Sequence, residues 1–175
     1  FDSIDYIVHS IAFANKEDLS GEFIDTPREG FLTALEISAY SLIPIARLGA
    51  HLLEKNNGSI ITMTFQASER VFPGYNVMAT AKSALENSVK NLAYDLGKKQ
   101  IRINAISAGP LDTLSSRVIS GYKDMKTYNA NKSPLQRNIT FEEVANTALF
   151  LCSDLSTGIT GEIIHVDAGY NIMGI

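Results

Sequence analysis

SIITMTFQASERVFPGYNVMATAKSALENSVKNLAYDLGKKQIRINAI, residues 59–106, contains two strand patterns with one long helical pattern between them. Residues 59–63 form an almost continuous run of β-branched and apolar side chains, which predicts a buried strand. A loop over 65–74 leads into a long helical pattern that ends near Gly97, and residues 101–106 predict the next buried strand. Short apolar strands joined by a long helix are typical of a parallel βαβ unit.

The same alternation continues on both sides of this unit. Upstream, residues 4–8 predict a strand, 12–26 are rich in turn residues, and Thr26-Pro27 predicts the start of a helix that ends near Glu54. Downstream, 111–138 has poor periodicity, Thr140 predicts the cap of a helix that ends near Ser153, and 162–166 predicts a last strand. The apolar stripe expected along the first long helix is Phe31, Leu35, Ser38, Leu42, Ile45, Leu48 and Leu52.

These elements predict the α/β class, with a Rossmann-like, doubly wound parallel sheet and helices on both sheet faces. A chain of 175 residues without an internal repeat or linker predicts one domain over 1–175. The net charge of −4 argues against nucleic acid or an anionic membrane as the main partner. No apolar run approaches the length of a membrane span. Cys152 is alone and forms no internal disulfide, which favours a reducing, cytoplasmic location.

The beginning of the chain lacks features that a complete dinucleotide fold requires. It opens on Phe1 rather than Met, and a strand pattern follows at once. The sequence contains no Gly-x-Gly-x-x-Gly, although a phosphate-binding turn follows the first strand of such folds. We therefore expect an N-terminal βαβ part to precede this chain and to carry the acidic residue that selects NAD over NADP.

A lysine interrupts the apolar stripe of the helix over 75–97. Positions 78, 82, 85, 89, 92 and 96 follow three- and four-residue steps, and Lys82 occupies one of them. Tyr75 precedes Lys82 by seven residues, which is about two turns or roughly 10 Å on the same face. In one interpretation, Lys82 extends to solvent and pairs with Glu86. In the other, both side chains face the crevice at the carboxyl ends of the strands. There the ammonium would hold ribose hydroxyls and lower the pKa of the phenol, which would donate to an oxygen that develops negative charge.

Other reactive side chains give weaker signals. His9, His51 and His165 lack the spacing of metal ligands, so no metal site is expected. Cys152 lies in an apolar helical pattern and is interpreted as a core residue.

Several motifs together resemble one family. Residues 75–82 match a Tyr-x6-Lys signature, and 8–12, 104–110, 150–155 and 165–169 match further motifs in the same order. These segments resemble the enoyl-acyl-carrier-protein reductases of the bacterial fatty-acid synthesis type, a divergent branch of the short-chain dehydrogenase/reductase superfamily. The common pattern of the superfamily is Tyr-x3-Lys, whose second position here is Ala79.

The resemblance implies an activity and assigns residues to it. It implies reduction of a trans-2-enoyl thioester on acyl carrier protein, with NADH as the hydride donor, by a cytoplasmic homotetramer; NADPH is not excluded. Tyr75 and Lys82 would be catalytic, with Lys82 on the nicotinamide ribose. The cofactor would also contact Ser10, Ile11, Ala12, Thr64, Pro110, Leu111 and Thr113. The acyl chain would contact Ala14, Leu19, Phe65, Tyr75, Met78, Ser115, Ser116, Ile119 and Tyr122, and 111–138 would be the substrate-binding segment.

One position departs from the commonest family pattern. Many bacterial members carry a second Tyr ten residues before the catalytic one, where this chain has Phe65. A branch typified by the mycobacterial enzyme also has Phe there. Phe65 is therefore expected to pack beside the nicotinamide or the substrate.

Two other functions stay open at this point. The first is a short-chain dehydrogenase that acts on a ketone or an alcohol, which would need a Tyr-x3-Lys pair and an upstream catalytic Ser. The second is a non-catalytic family member kept for binding or assembly, against which the intact Tyr75 and Lys82 argue.

Overall fold

A parallel four-stranded sheet forms the centre of the molecule. The computed structural model describes residues 2–113, 116 and 121–174. The strands are β1 (Tyr6–His9), β2 (Ser59–Thr64), β3 (Arg102–Ala108) and β4 (Ile163–Val166), and they lie side by side in that order. All three strand pairs are parallel. The predicted α/β class with a parallel sheet is confirmed.

Strand register brings three loops to one edge of the sheet. His9, the last residue of β1, pairs with Thr62, and Thr64 at the end of β2 pairs with Ser107 of β3. The segments that follow β1, β2 and β3 therefore leave the sheet close together. Ligand sites of parallel α/β folds lie at this carboxyl edge.

The first long helical run has an irregular centre. It consists of α1 (Arg28–Leu35), a π-helical turn (Glu36–Tyr40), α2 (Leu42–Leu53) and a 3₁₀ turn (Glu54–Asn56). Pro27 rather than Thr26 is the N-cap residue, so the predicted start was wrong by one position. The Thr26 hydroxyl instead donates to the Phe23 carbonyl, 2.7 Å away, and closes the preceding 3₁₀ turn (Phe23–Asp25).

The buried face of this run differs from the predicted stripe. Ser38 and Leu42 are fully buried as expected, but Leu48 is 70% exposed. Between the buried Leu42 and Leu53, the small residues Ala46 and Gly49 occupy the buried face of α2, because the helix lies close to the sheet. At Gly49 an added Cβ would come within 2.4 Å of Ile7 Cδ1. The pattern of large apolar residues consequently pointed to a face that is partly exposed.

The same helical run is long and apolar enough to cross a membrane by length and composition, so the expectation that no run approaches that length was wrong. Arg28–Asn56 is 29 residues long, and its most apolar window has a mean hydropathy of 1.3, enough to cross a membrane by length and composition alone. Leu42, Ala46 and Leu53 in this run are fully buried in the main core cluster, beside residues of β2 and β3. Core helices meet the same criterion of length and composition.

The second long helix follows its prediction closely. This helix is α3 (Asn76–Gly97), with Tyr75 as its N-cap residue. Five of the six predicted stripe positions are buried, among them Lys82. Helices α2 and α3 pack with Ile60 and Ile103 on one face of the sheet. The opposite face, which includes Ile61 and Ile106, is covered by α5 (Phe141–Cys152), so helices flank both faces.

The segment over 111–138, which showed no clear periodicity, contains a helix that the sequence did not predict. This helix is α4 (Tyr122–Lys132). Polar and charged residues surround its axis, and only Asn129 is buried. No apolar stripe marks it for that reason.

The predicted cap of α5 is confirmed and carries a stability prediction. The Thr140 hydroxyl accepts from the Glu143 amide, and the Glu143 carboxylate accepts from the Thr140 amide, which is a capping box. Replacing Thr140 by Ala removes the acceptor and is expected to lower the free energy of unfolding by about 1 kcal/mol. Urea denaturation checks this value. In the control, Thr127→Ala, the lost hydroxyl donates only to Lys123 within α4, so an equal loss in both variants would contradict the capping role.

Candidate active site

One cavity of about 850 Å³ opens at the carboxyl ends of β1, β2 and β3. Its size falls in the range of clefts that bind small molecules and cofactors, on the order of 300–1,000 Å³. The predicted site residues in the described part of the chain all line it: Ser10, Ile11, Ala12, Ala14, Leu19, Thr64, Phe65, Tyr75, Met78, Lys82, Pro110, Leu111, Thr113, Ser116 and Tyr122. Ser115 and Ile119 lie outside the described residues. The structure thus brings these residues together, while their individual roles stay predictions.

Lys82 is buried at the floor of this cavity. Its side chain is 6% exposed, and its Nζ donates to the Met63 carbonyl at 2.8 Å, so the interpretation in which it extends to solvent is wrong. Burial lowers the pKa of Lys82 to about 8, and the charge of Glu86 opposes that decrease. An ammonium in this position can donate its other N–H groups to ligand oxygens, because Met63 is its only hydrogen-bond partner within the described ranges.

Tyr75 enters the cavity from the first turn of α3. Its ring contacts Phe65 with centroids 5.1 Å apart, and Phe65 contacts Phe72 at 4.9 Å. Burial raises the pKa of Tyr75 well above its usual value, and the neighbouring Tyr122 raises it further. A lowered pKa was expected for this phenol, and burial gives it a raised pKa instead. Tyr75 is a neutral hydrogen-bond donor at any pH near neutrality.

His9 connects the end of β1 to the π-helical turn region. Its Nδ1 lies 2.9 Å from Thr62 Oγ1, and its Nε2 lies 2.8 Å from Ser41 Oγ. Ser41 donates its own proton to the Ile37 carbonyl, so it accepts from Nε2, and Nδ1 accepts from Thr62. Burial lowers the pKa of His9, and the charge of Lys82 lowers it further. His9 is a neutral residue that fixes the strand end from which 10–12 leave.

Tyr122 closes the cavity from the side of α4. Its hydroxyl donates to the Leu111 carbonyl at 2.5 Å, and the Ser116 hydroxyl donates to the Thr113 carbonyl at 2.9 Å. The first of these bonds holds Tyr122, the first residue of α4, against the segment that follows β3. Phe65, Met78 and Leu19 supply an apolar wall, which suits a hydrocarbon chain.

The sequence gave no site role to Glu86, whose partner Thr64 lines the cavity, or to several residues of the cavity wall itself. Glu86 is the most informative, since its carboxylate accepts from the Thr64 hydroxyl at 2.5 Å while Glu86 is only 9% exposed. Its position, one turn after Lys82, was the available signal. The cavity wall also contains Phe13, Asn15, Lys16, Glu17, Met63, Ala108, Gly109 and Met125.

The residues present fit a nucleotide cofactor better than a metal. Lys82 offers a buried charge with free donors, and 10–12 follow a strand end of a parallel sheet, where such ligands lie. In the described part of the chain, no group of three or more His, Cys, Asp or Glu side chains could hold a metal ion.

A parallel α/β sheet with a Tyr–Lys pair at its carboxyl edge defines a member of the short-chain dehydrogenase/reductase superfamily. Within it, the chain belongs to the enoyl-(acyl carrier protein) reductase family, whose model matches residues 1–171.

Curated relatives agree with this family. An enoyl-[acyl-carrier-protein] reductase [NADH] of Rickettsia typhi is 50% identical over 99% of this chain, which spans 66% of that protein. The enzyme of the same name from Aquifex aeolicus is 51% identical over 99% of this chain, which spans 64% of it. The chain thus spans slightly less than two thirds of the length of these relatives.

Solved structures agree as well. The enoyl-[acyl-carrier-protein] reductase (NADH) of Aquifex aeolicus superposes with a TM-score of 0.96 at 50% identity, over 100% of this chain and 68% of that one. The Anaplasma phagocytophilum reductase, solved in complex with NAD, gives a TM-score of 0.94 at 50% identity, over 99% of this chain and 66% of that one. The Bacillus cereus reductase, solved with NADP⁺ and an indole naphthyridinone, gives 0.96 at 50% identity, over 99% and 67%.

Proposed function

We propose that this chain carries the catalytic residues of an NADH-dependent enoyl-[acyl-carrier-protein] reductase, which reduces the trans-2 double bond in the last step of the fatty-acid elongation cycle. The observation that carries the proposal is the joint placement of neutral Tyr75 and buried Lys82 in one cavity. The names of the relatives from Rickettsia typhi and Aquifex aeolicus support both the reaction and the cofactor.

Bound NADH supplies the hydride that the β carbon of the substrate receives. Lys82, held by the Met63 carbonyl, directs its remaining N–H groups to the ribose hydroxyls of the nucleotide. Tyr75 donates its phenolic hydrogen bond to the thioester carbonyl and stabilises the enolate oxygen as negative charge develops there. The enolate is then protonated at the α carbon, which completes the saturated acyl chain. A donor aimed at developing charge in this way lowers the activation barrier by about 3–4 kcal/mol.

The cofactor and the acyl chain divide the cavity between them. We assign the cofactor side to residues at the ends of the strands: Ser10, Ile11 and Ala12 after β1, Thr64 at the end of β2, and Pro110, Leu111 and Thr113 after β3. We assign the acyl side to the apolar wall and to 113–130 within the substrate-binding segment 111–138. The residues of the acyl side are Ala14, Leu19, Phe65, Met78, Ser116 and Tyr122. Ser115 and Ile119, which lie outside the described residues, are assigned to the same side.

We further propose that the enzyme is a cytoplasmic homotetramer. Exposed apolar side chains on the long helices support assembly: Leu48 is 70% exposed and Tyr94 is 75% exposed. Both would lose solvent contact in an interface, which stabilises association by roughly 25 cal/mol per Å² of apolar surface. The lone Cys152, with no disulfide partner in the sequence, supports a reducing compartment.

A substrate comparison tests the proposed reaction. Absorbance of NADH is followed with the full-length protein and either a trans-2-enoyl or a 3-ketoacyl thioester on acyl carrier protein, and each assay is repeated with NADPH. We expect rapid oxidation of NADH with the enoyl substrate only. Oxidation with the 3-ketoacyl substrate alone would identify a ketone reductase. Cofactor binding without turnover of either would identify a non-catalytic member.

A further inference from the structure

Two adjacent hydrogen bonds tie the end of β2 to α3. The Met63 carbonyl accepts from Lys82 at 2.8 Å, and the next residue, Thr64, donates to the Glu86 carboxylate at 2.5 Å. Lys82 and Glu86 are four residues apart on α3 and therefore neighbours on one face of the helix. The lysine and the glutamate are thus fixed by the same strand end.

A carboxylate at position 86 is not explained by the hydrogen bond alone. Glu86 is 9% exposed and Thr64 is 5% exposed, and burying a charged group costs free energy unless a partner compensates it. A neutral amide would also accept from the Thr64 hydroxyl, although in a weaker hydrogen bond. What the carboxylate adds is its negative charge.

The groups around Lys82 show where that charge acts. Tyr75 and Glu86 face it from α3, His9 lies beside it at the end of β1, and β2 contributes the neutral Met63 carbonyl. Tyr75 and His9 are neutral near pH 7, because burial raises the pKa of the phenol and lowers that of the imidazole. The charge of Glu86 offsets part of the desolvation of the Lys82 ammonium. Within the described ranges, the other charged side chains on the cavity wall are Lys16 and Glu17.

We propose that Glu86 is a positioning residue that keeps Lys82 protonated inside the cavity and thereby sets the upper pH limit of nucleotide binding. The inference rests on the proposed function for the identity of the nucleotide. Its electrostatic part concerns Lys82 itself and is testable without any ligand.

The sign of the expected pH dependence follows from the burial of Lys82. The pKa of Lys82 is lowered to about 8, so the ammonium that binds ribose hydroxyls is present below that pH and is lost above it. Glu86→Gln keeps an acceptor for Thr64 and removes the charge. The pKa of Lys82 should then fall by on the order of one unit, and the pH range of tight binding should end correspondingly lower.

The experiment measures NADH affinity by fluorescence as a function of pH in the full-length protein. We expect Glu86→Gln to match the parent on the acid side of neutrality and to bind about fivefold more weakly near pH 8, where the parent still holds its proton in part. Glu86→Asp, which restores the charge, should recover most of the affinity. Glu142→Gln is the matched control, because Glu142 is exposed on α5.

A second readout separates this inference from the proposed function. Competitive acetylation of lysines, followed by mass spectrometry, reports the titration midpoint of Lys82 in the free protein. A lower midpoint in Glu86→Gln supports the inference even if the parent binds no NADH, a result that would contradict only the proposed cofactor. Equal midpoints in parent and variant would overturn the inference, and so would a loss of affinity that is uniform with pH.

Discussion

Replacing Tyr75 by Phe is expected to slow turnover of an enoyl thioester by about 10²–10³-fold, while the affinity for NADH stays unchanged. The substitution removes the one hydroxyl that, in the proposed reaction, would be aimed at the developing enolate oxygen. It keeps the ring that packs on Phe65, with centroids 5.1 Å apart, so the fold should not change. The effect should appear in kcat, because the donor acts mainly in the transition state.

The raised pKa of Tyr75 also predicts how kcat of the parent depends on pH. Burial raises that pKa, so the phenol stays protonated throughout the range in which the protein is assayed. The parent's kcat should therefore show no step from ionisation of Tyr75 near neutral pH. Tyr94→Phe is the matched control, since Tyr94 lies on the same helix and is 75% exposed. Equal kcat values in Tyr75→Phe and the parent would contradict the catalytic role.

Replacing Lys82 by Met is expected to abolish tight NADH binding and, at the same time, to stabilise the folded protein. The ammonium that would hold the ribose is lost, and we expect the dissociation constant to rise by about 10–10²-fold, in line with the 1.5–3 kcal/mol of a charged hydrogen bond. Calorimetry or fluorescence titration with NADH measures this loss.

The stabilisation is expected because folding lowers the pKa of Lys82. Folding lowers that pKa from 10.5 to about 8, so a buried ammonium costs on the order of 3 kcal/mol at pH values below 8. The loss of the hydrogen bond to Met63 destabilises the Met variant by about 1 kcal/mol, so the free energy of unfolding should rise by a net value of about 2 kcal/mol. The parent's stability should rise between pH 8 and 10.5, where the unfolded chain binds the extra proton, and the variant's should not.

Chemical denaturation at neutral and alkaline pH checks the second effect. Lys90→Met is the control, because Lys90 lies on the same helix but is exposed. A Lys82→Met protein that is less stable than the parent and still binds NADH tightly would contradict both the burial of the charge and its role in binding.

The sequence predicted the elements whose side chains follow a regular pattern. The strands β2 and β3 and the helix α3 were predicted because each buries a clear run or stripe of apolar residues. The interruption of that stripe by Lys82 was itself the signal for the site. The cap of α5 was predicted because acidic residues, Glu142 and Glu143, follow Thr140 in the first turn of the helix.

The remaining features depend on contacts that no local pattern records. Helix α4 was missed because its exposed sequence has no apolar face. The face of α2 was misjudged because close approach to β1 favours Gly49 over large side chains. The partnership of Glu86 with Thr64 joins residues 22 positions apart, and the raised pKa of Tyr75 reflects burial among neighbours such as Phe65 and Tyr122.

Transfer of isotope from the cofactor tests whether the protein reduces an enoyl thioester with hydride from NADH. The full-length protein is incubated with a trans-2-enoyl thioester and NADH in which both hydrogens of the nicotinamide C4 are deuterium, and the acyl product is examined by mass spectrometry and NMR. We predict one deuterium on the β carbon of a saturated acyl chain, with its appearance slowed in Tyr75→Phe. Deuterium on a carbinol carbon, or an unlabelled product, would contradict the account.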